Sequence, residues 1–184
     1  MAAVANGWVR THERESAAFD RLFLAEYEKV ASIAYRVIGD AHEAEDVAQE
    51  VFIAFYRQHP AQAPYAAPWL YRAAAHAALN AVRGRRRRSR RELTEAVETE
   101  RLTTSAQASL DPQRAVEQEE QRREIRMALA RLPVKSATIL ALRYSGLSYG
   151  EVAASLGIGI GQVGTLLRRA EAALRKELMT HETP

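Results

Sequence analysis

The chain predicts an all-α fold, two small helical domains joined by an acidic flexible linker. Three observations carry this: apolar residues recur at helical spacing in two long stretches, no stretch alternates as a strand does, and a polar, acid-rich segment separates the two. In the first stretch Phe19, Leu22, Phe23, Tyr27, Val30, Ile33, Ala34, Val37 and Ile38 mark one face of a helix starting near Ser16 and closed by Gly39 and Asp40. Ala44, Val47, Ala48, Val51, Phe52 and Phe55 repeat the pattern over 41–58. Pro60, Pro64 and Pro68 then punctuate a loop. An alanine-rich third helix runs over 67–88 into a block of arginines. Residues 92–111, rich in Glu, Thr, Ser, Ala and Gln, lose the apolar period and read as linker. Asp111 and Pro112 give an N-cap followed by proline at the first helical position, opening a helix that stops before Pro133. Ser136 is expected to open the next helix, which ends near Gly146. Ser148 and Glu151 spell a capping box for a short helix ending at Gly157, and a last helix covers 160–178.

Composition then narrows the function. At 47% hydrophobic and 27% charged residues the chain is in the globular range. It has no cysteine, which excludes a disulfide framework, a thiolate zinc site and a cysteine nucleophile. No apolar run approaches the roughly 20 residues of a membrane span, and the first residues carry no secretory signal. A soluble, intracellular protein without membrane insertion is expected. The histidines are scattered rather than set at ligand spacing, and no Gly-Lys-Ser/Thr loop occurs, so no metal, no cofactor and no catalytic residue are expected.

The net charge of +3 hides a segregation: −3 over 1–82, +7 over 83–91, −6 over 92–120 and +5 over 121–184. The block RGRRRRSRR is arginine, not lysine, which suits bidentate contact with phosphate oxygens. On composition alone it also suits a solvated helix end.

Residues 148–170 have the spacing of a helix-turn-helix. Val152, Ala153 and Leu156 face inward, Gly157 turns the chain, Ile158 plugs the turn, and Val163, Leu167, Ala170 and Leu174 line the second helix. A plain helical hairpin is the simpler alternative. In a helix-turn-helix the outward Gln162 and Thr165 would reach base edges, and Arg168 and Arg169 would hold phosphates. The same stretch carries a decoy. Gly159, Gly161 and Gly164 satisfy the dinucleotide fingerprint, but a capped helix precedes them where that fingerprint needs a strand, so a nucleotide cofactor is rejected.

Taken together, GDAHEAEDVAQEVFIAFYR, APWLYRAAAHAALNAVRGRRRR and ALARLPVKSATILALRYSGLSYGEVAASLG resemble the extracytoplasmic-function sigma factors of bacterial RNA polymerase, in the right order and at the right separation. The resemblance implies a flexible tail over 1–15, a core-binding and promoter-melting domain over 16–91, a linker over 92–116, a DNA-binding domain over 117–178 and a tail over 179–184. It places Asp46, Gln49 and Glu50 where the family docks on the polymerase β′ subunit. Asp46 and Glu50, four apart, share a helix face with Gln49 beside them; by itself this better suits an ordinary solvated face, and the surrounding EDVAQEVF string reverses that preference.

For promoter melting the resemblance points to the loop HPAQAPYAAP and the third helix. Tyr65, Trp69 and Tyr71 offer aromatic faces, and stacking a base on such a face contributes about 1–3 kcal/mol, comparable with unstacking one base. Leu70 and Ala73 lie on a similar face to Trp69, which favours core over wedge for it; Tyr65 is the better base contact. His76 and Asn80 could hydrogen-bond a base or phosphate, or be plain surface residues. Arg83, Arg85, Arg86, Arg87 and Arg88 would grip duplex phosphates upstream of the melted segment.

The resemblance implies as partners core RNA polymerase through its β′ and β subunits, promoter DNA both double-stranded and melted on the non-template strand, and an anti-sigma factor. It implies a cytoplasmic, bacterial protein that joins the nucleoid in holoenzyme. The linker is either a plain spacer or an occupant of the RNA-exit channel. The recognition helix departs from the family: Gly164 replaces a lysine, Leu166 an arginine and Gly159 a proline. Promoter choice is therefore expected to lean on the first domain. A stand-alone helix-turn-helix regulator is the competing function, and it leaves the first half of the chain without a task.

Overall fold

The structure, a computed structural model, describes residues 2–95 and 112–180, with side chains for 15–88 and 117–180. Seven helices follow one another among these residues, and no strand interrupts them: α1 (Ala2–Ile38), α2 (Ala41–Gln58), α3 (Ala66–Glu95), α4 (Pro112–Arg131), α5 (Val134–Tyr144), α6 (Tyr149–Leu156) and α7 (Ile160–Met179). The all-α expectation holds.

Most boundaries follow from their caps. Gly39, at φ +80°, ends α1, and the Asp40 side chain accepts the Glu43 amide at 2.9 Å to start α2. The Arg126 guanidinium of α4 lies against Gly39, but as the end of a flexible side chain it could move aside, so it is the positive backbone angle that favours glycine. Ser148 and Glu151 close the expected capping box, and Gly157 ends α6 in the left-handed region at φ +64°.

Three boundaries differ from the sequence reading. The backbone of α1 is helical back to Ala2, not from Ser16, and α3 continues past Arg88 to Glu95. The helix expected to open at Ser136 opens at Val134, because the Pro133 carbonyl already accepts the Ala137 amide at 3.0 Å and so starts the first turn. Of the linker expected over 92–116, residues 92–95 and 112–116 are helical, in α3 and α4, while 96–111 lie outside the described residues, as do 181–184.

Helices α1, α2 and α3 form the first domain around Val30, Ile33, Phe52, Phe55, Leu70 and Leu79. The aromatic ring of Phe52 is met by Phe23 at 4.9 Å and Phe19 at 6.2 Å, edge to face. Buried alanines at 74, 75 and 78 let α3 approach its neighbours closely. The second domain, α4 to α7, closes around Leu132, Leu140, Leu142, Leu147, Val152 and Val163. The two cores are continuous, because α3 also lies against α5 and α6. No buried side-chain nitrogen or oxygen among the described residues lacks a hydrogen-bond partner, as a well-formed interior requires.

Candidate nucleic-acid interface

Helix α2 turns Val47, Ala48, Val51 and Phe52 into the core, so the same helical period pushes Asp46, Gln49 and Glu50 into solvent. The three expected docking residues thus share one open face. Two residues that sequence reasoning missed extend it: Ile53 is 49% exposed and Tyr56 57% exposed, the latter leaning on Phe19 at 4.8 Å. Ile53 stands three residues after Glu50 and seven after Asp46, so its position on the polar face was readable from spacing. Two carboxylates, an amide and two apolar side chains make a surface suited to a basic, partly apolar partner.

The loop before α3 is built around His59. Its ring is edge-on to Trp69 at 4.8 Å, beside Phe55 at 5.2 Å and perpendicular to Tyr65 at 5.7 Å. Trp69 is half-buried against Phe55, and Tyr65 is 47% exposed, with its hydroxyl 3.5 Å from His59 Nδ1. Tyr71 is not an open face. It is buried at 3% exposure and its hydroxyl donates to Glu26, because its place on α3 turns it toward α1. Burial first, then the Glu26 carboxylate, pushes the Tyr71 hydroxyl up to about 12, so it stays protonated.

His76 is half-buried one turn further on. Its pKa lies below the usual histidine value, through burial first and then the nearby charges of Arg72 and Arg83. It is therefore a neutral ring at neutral pH, able to donate or accept one hydrogen bond at each nitrogen but not to attract phosphate as a cation. Asn80 is exposed on the same helix.

The arginines divide. Arg87 and Arg88 are exposed. Arg85 pairs with Glu43 and donates to the Ile38 carbonyl at 3.2 Å. Arg83 donates from Nε to the Ala130 carbonyl at 3.0 Å and from Nη2 to the Leu132 carbonyl at 2.7 Å. Arg86 also has an interaction partner. In this arrangement two of the expected phosphate contacts hold the protein itself.

In the second domain α6 and α7 are bent 90° apart, the crossing of a helix-turn-helix. The plain-hairpin alternative falls, because an antiparallel hairpin would fold the second helix back alongside the first, whereas α7 leaves α6 at a right angle. Thr165, Arg168 and Arg169 are exposed on α7. Gln162 is exposed too, but its Oε1 accepts the Gly159 amide at 3.0 Å and caps the helix, leaving the Gln162 amide N–H groups for an outside acceptor. Leu166 is 37% exposed and Ile160 61% exposed on this helix. Gly164 lies beside the Tyr149 ring, where an added Cβ would be 3.7 Å from Cε2, an ordinary contact distance. The glycine fingerprint follows helix α6 and not a strand, as expected.

Glu151 has a second task beyond its cap. The Lys29 ammonium reaches it at 2.8 Å across the domain boundary. That bond first, then the Ser148 amide and hydroxyl, holds its carboxyl down to about 2, and the same bond raises Lys29. No group of His, Asp or Glu among the described residues is placed to hold a metal ion. No single described helix is long and apolar enough to cross a membrane.

The family model for sigma-70 region 2 matches residues 22–88, and that for sigma-70, region 4 matches residues 122–174. The ECF RNA polymerase sigma factor SigW of Bacillus subtilis is 34% identical over 158 residues, covering 82% of this chain and 83% of the relative. The RNA polymerase sigma-H factor of Pseudomonas aeruginosa is 33% identical over 176 residues, covering 92% and 90%. Among solved structures, CnrH in complex with the cytosolic domain of CnrY aligns over 95% of this chain and 96% of that one, with TM-score 0.53 and 18% identity. The sigma factor RpoE in complex with the anti-sigma factor NepR from Bartonella quintana covers 88% and 96%, with TM-score 0.50 and 21% identity. These two show the likeness in fold.

Proposed function

The chain belongs to the extracytoplasmic-function sigma factors of RNA polymerase, and from that premise we propose how its surfaces divide the work of starting a transcript. As a sigma factor it directs promoter recognition; the residue roles are our reading. Asp46, Gln49 and Glu50, widened by Ile53 and Tyr56, dock on a basic element of the β′ subunit. Charge-assisted bonds from arginines to the two carboxylates would orient the contact, and Ile53 and Tyr56 would supply its apolar centre.

Tyr65, exposed at the edge of the ring cluster around His59, receives a flipped non-template base. Trp69 supports that cluster from below and is not itself the wedge. His76 and Asn80 contribute hydrogen bonds along α3, and Arg87 and Arg88 hold duplex phosphates from the outset, joined by Arg83, Arg85 and Arg86 on DNA. Each phosphate neutralised adds about 0.9 to the salt slope of binding. In α7 Thr165 and the Gln162 amide face base edges, while Arg168 and Arg169 hold phosphates.

The chain works as a dissociable specificity subunit without catalysis of its own, in the cytoplasm and on the nucleoid when in holoenzyme. An anti-sigma factor restrains it, as NepR is found with RpoE. The observation that carries this reading is the joint exposure of the α2 acidic face and the Tyr65 ring in one domain, beside a 90° bihelical unit in the other. A stand-alone regulator has no need of the first two. Genomic run-off transcription with core enzyme plus this chain tests it. Discrete new start sites sharing upstream and downstream elements are expected; a run-off pattern identical to core enzyme alone would overturn it.

A further inference from the structure

The outward side of α7 is rich in hydrogen-bond donors and poor in acceptors. Gln162 is exposed, yet its Oε1 is turned back to accept the Gly159 amide at 3.0 Å. A glutamine reads adenine with both ends of its amide, accepting from N6 and donating to N7. Held in the cap, Gln162 offers DNA its N–H groups, which call for an acceptor. Arg168 and Arg169 are donors as well, and the Thr165 hydroxyl can take either part.

Leu166 stands one turn beyond Gln162 and is 37% exposed. Residues four apart share a helix face, so a donor and an apolar side chain lie side by side on one flank of α7. The exposed Arg169, three residues on, continues that flank toward phosphate. A leucine gains nothing from a phosphate, and against the amino group of adenine or cytosine it would bury a donor without a partner. Thymine is the base whose major-groove edge sets an acceptor, O4, beside an apolar group, the C5-methyl. Cytosine offers a donor there, and guanine two acceptors without a methyl. At Gly161 an added Cβ would meet nothing within 4 Å, so bare backbone at the start of α7 lets the helix lie close to the base edges.

We propose, building on the DNA-facing role of α7, that Gln162 and Leu166 together read a thymine in the upstream promoter element. The Gln162 amide donates to O4 and the Leu166 side chain covers the C5-methyl. Leu166 is thus a specificity-determining residue, and its contact is a modest one.

Deoxyuridine in place of each upstream thymine removes the methyl and keeps O4. Promoter affinity is read by competition mobility shift at fixed salt, with holoenzyme assembled from core polymerase and the full chain. At one thymine the change is expected to weaken binding about fourfold, the worth of one buried methyl. The penalty should vanish with Leu166→Ala and persist with Leu166→Met, which keeps an apolar contact. At the same site 5-methylcytosine opposite guanine keeps the methyl and puts an amino group in place of O4. It should cost at least about fivefold, less so with Gln162→Ala. If no upstream thymine responds to deoxyuridine, or the penalty survives Leu166→Ala undiminished, the thymine assignment is overturned. Either result with discrete start sites still made leaves the sigma-factor reading standing. A chain that gives core polymerase no start sites overturns that reading and the assignment with it.

Discussion

Helix α3 and helix α7 both face DNA in this account, yet they present different chemistry. The first brings a run of arginines and, at its start, an exposed tyrosine held by a cluster of rings. The second brings two arginines, a threonine, a glutamine already engaged as a cap, and bare backbone at Gly161 and Gly164. Interior glycine costs about 1 kcal/mol of helix stability relative to alanine, and no cation stands at Gly164 or Leu166. The contrast teaches that the domains are unequal readers. The first has groups suited to opening DNA, whereas the second positions with few side chains.

The largest effect expected lies outside DNA altogether. Asp46→Arg with Glu50→Arg should weaken binding to core polymerase at least about 100-fold, the scale of reversing a central charge pair. Both positions are exposed, so thermal stability should hold within about 0.5 kcal/mol. Fluorescence titration against core enzyme and a melting curve separate the two readouts.

Next comes the split within the first domain. Tyr65→Ala should lower promoter opening by about 1–3 kcal/mol, roughly 5- to 150-fold, while leaving duplex binding nearly unchanged. Tyr71→Ala should instead lower the melting temperature, since Tyr71 is buried and bonded to Glu26. Permanganate reactivity of the bubble against duplex mobility shift distinguishes them.

For the second domain, mutating the upstream and downstream promoter elements separately should cost more at the downstream element. Leu166→Arg should sharpen the comparison by adding a phosphate contact, steepening the salt slope by about 0.9. A larger loss from the upstream element in the unaltered protein would reverse the ranking of the two domains.

The smallest effect concerns pH. Glu151 is held below its ordinary value, so its contribution is complete above about pH 4.5 and disappears as pH falls toward about 2. Being largely in water, it contributes no more than about 1 kcal/mol. Glu151→Gln should flatten the acid limb of the melting profile by that amount.

Much of this was legible beforehand because the signals are local. The capping box at Ser148 and Glu151, the turn at Gly157 and the buried face of α2 each follow from residues within one or two turns of each other. What was not legible joins distant residues. Lys29 meets Glu151 across 122 positions and Arg83 meets Leu132 across 49, and no period records such pairs. Tyr71 reads as an open face because it stands with Tyr65 and Trp69 in the segment that the resemblance points to for melting; only the packing of α1, whose Glu26 takes its hydroxyl, shows that it turns inward. Gln162 carried a readable signal, since a glutamine three residues after an N-cap is a capping position.

Thymine reactivity at a start site identified by run-off tests the central claim most directly. With core polymerase, promoter DNA and this chain, non-template thymines near the start should become permanganate-reactive, and the chain should elute with the enzyme. If core polymerase neither retains the chain nor opens the promoter in its presence, the account is contradicted.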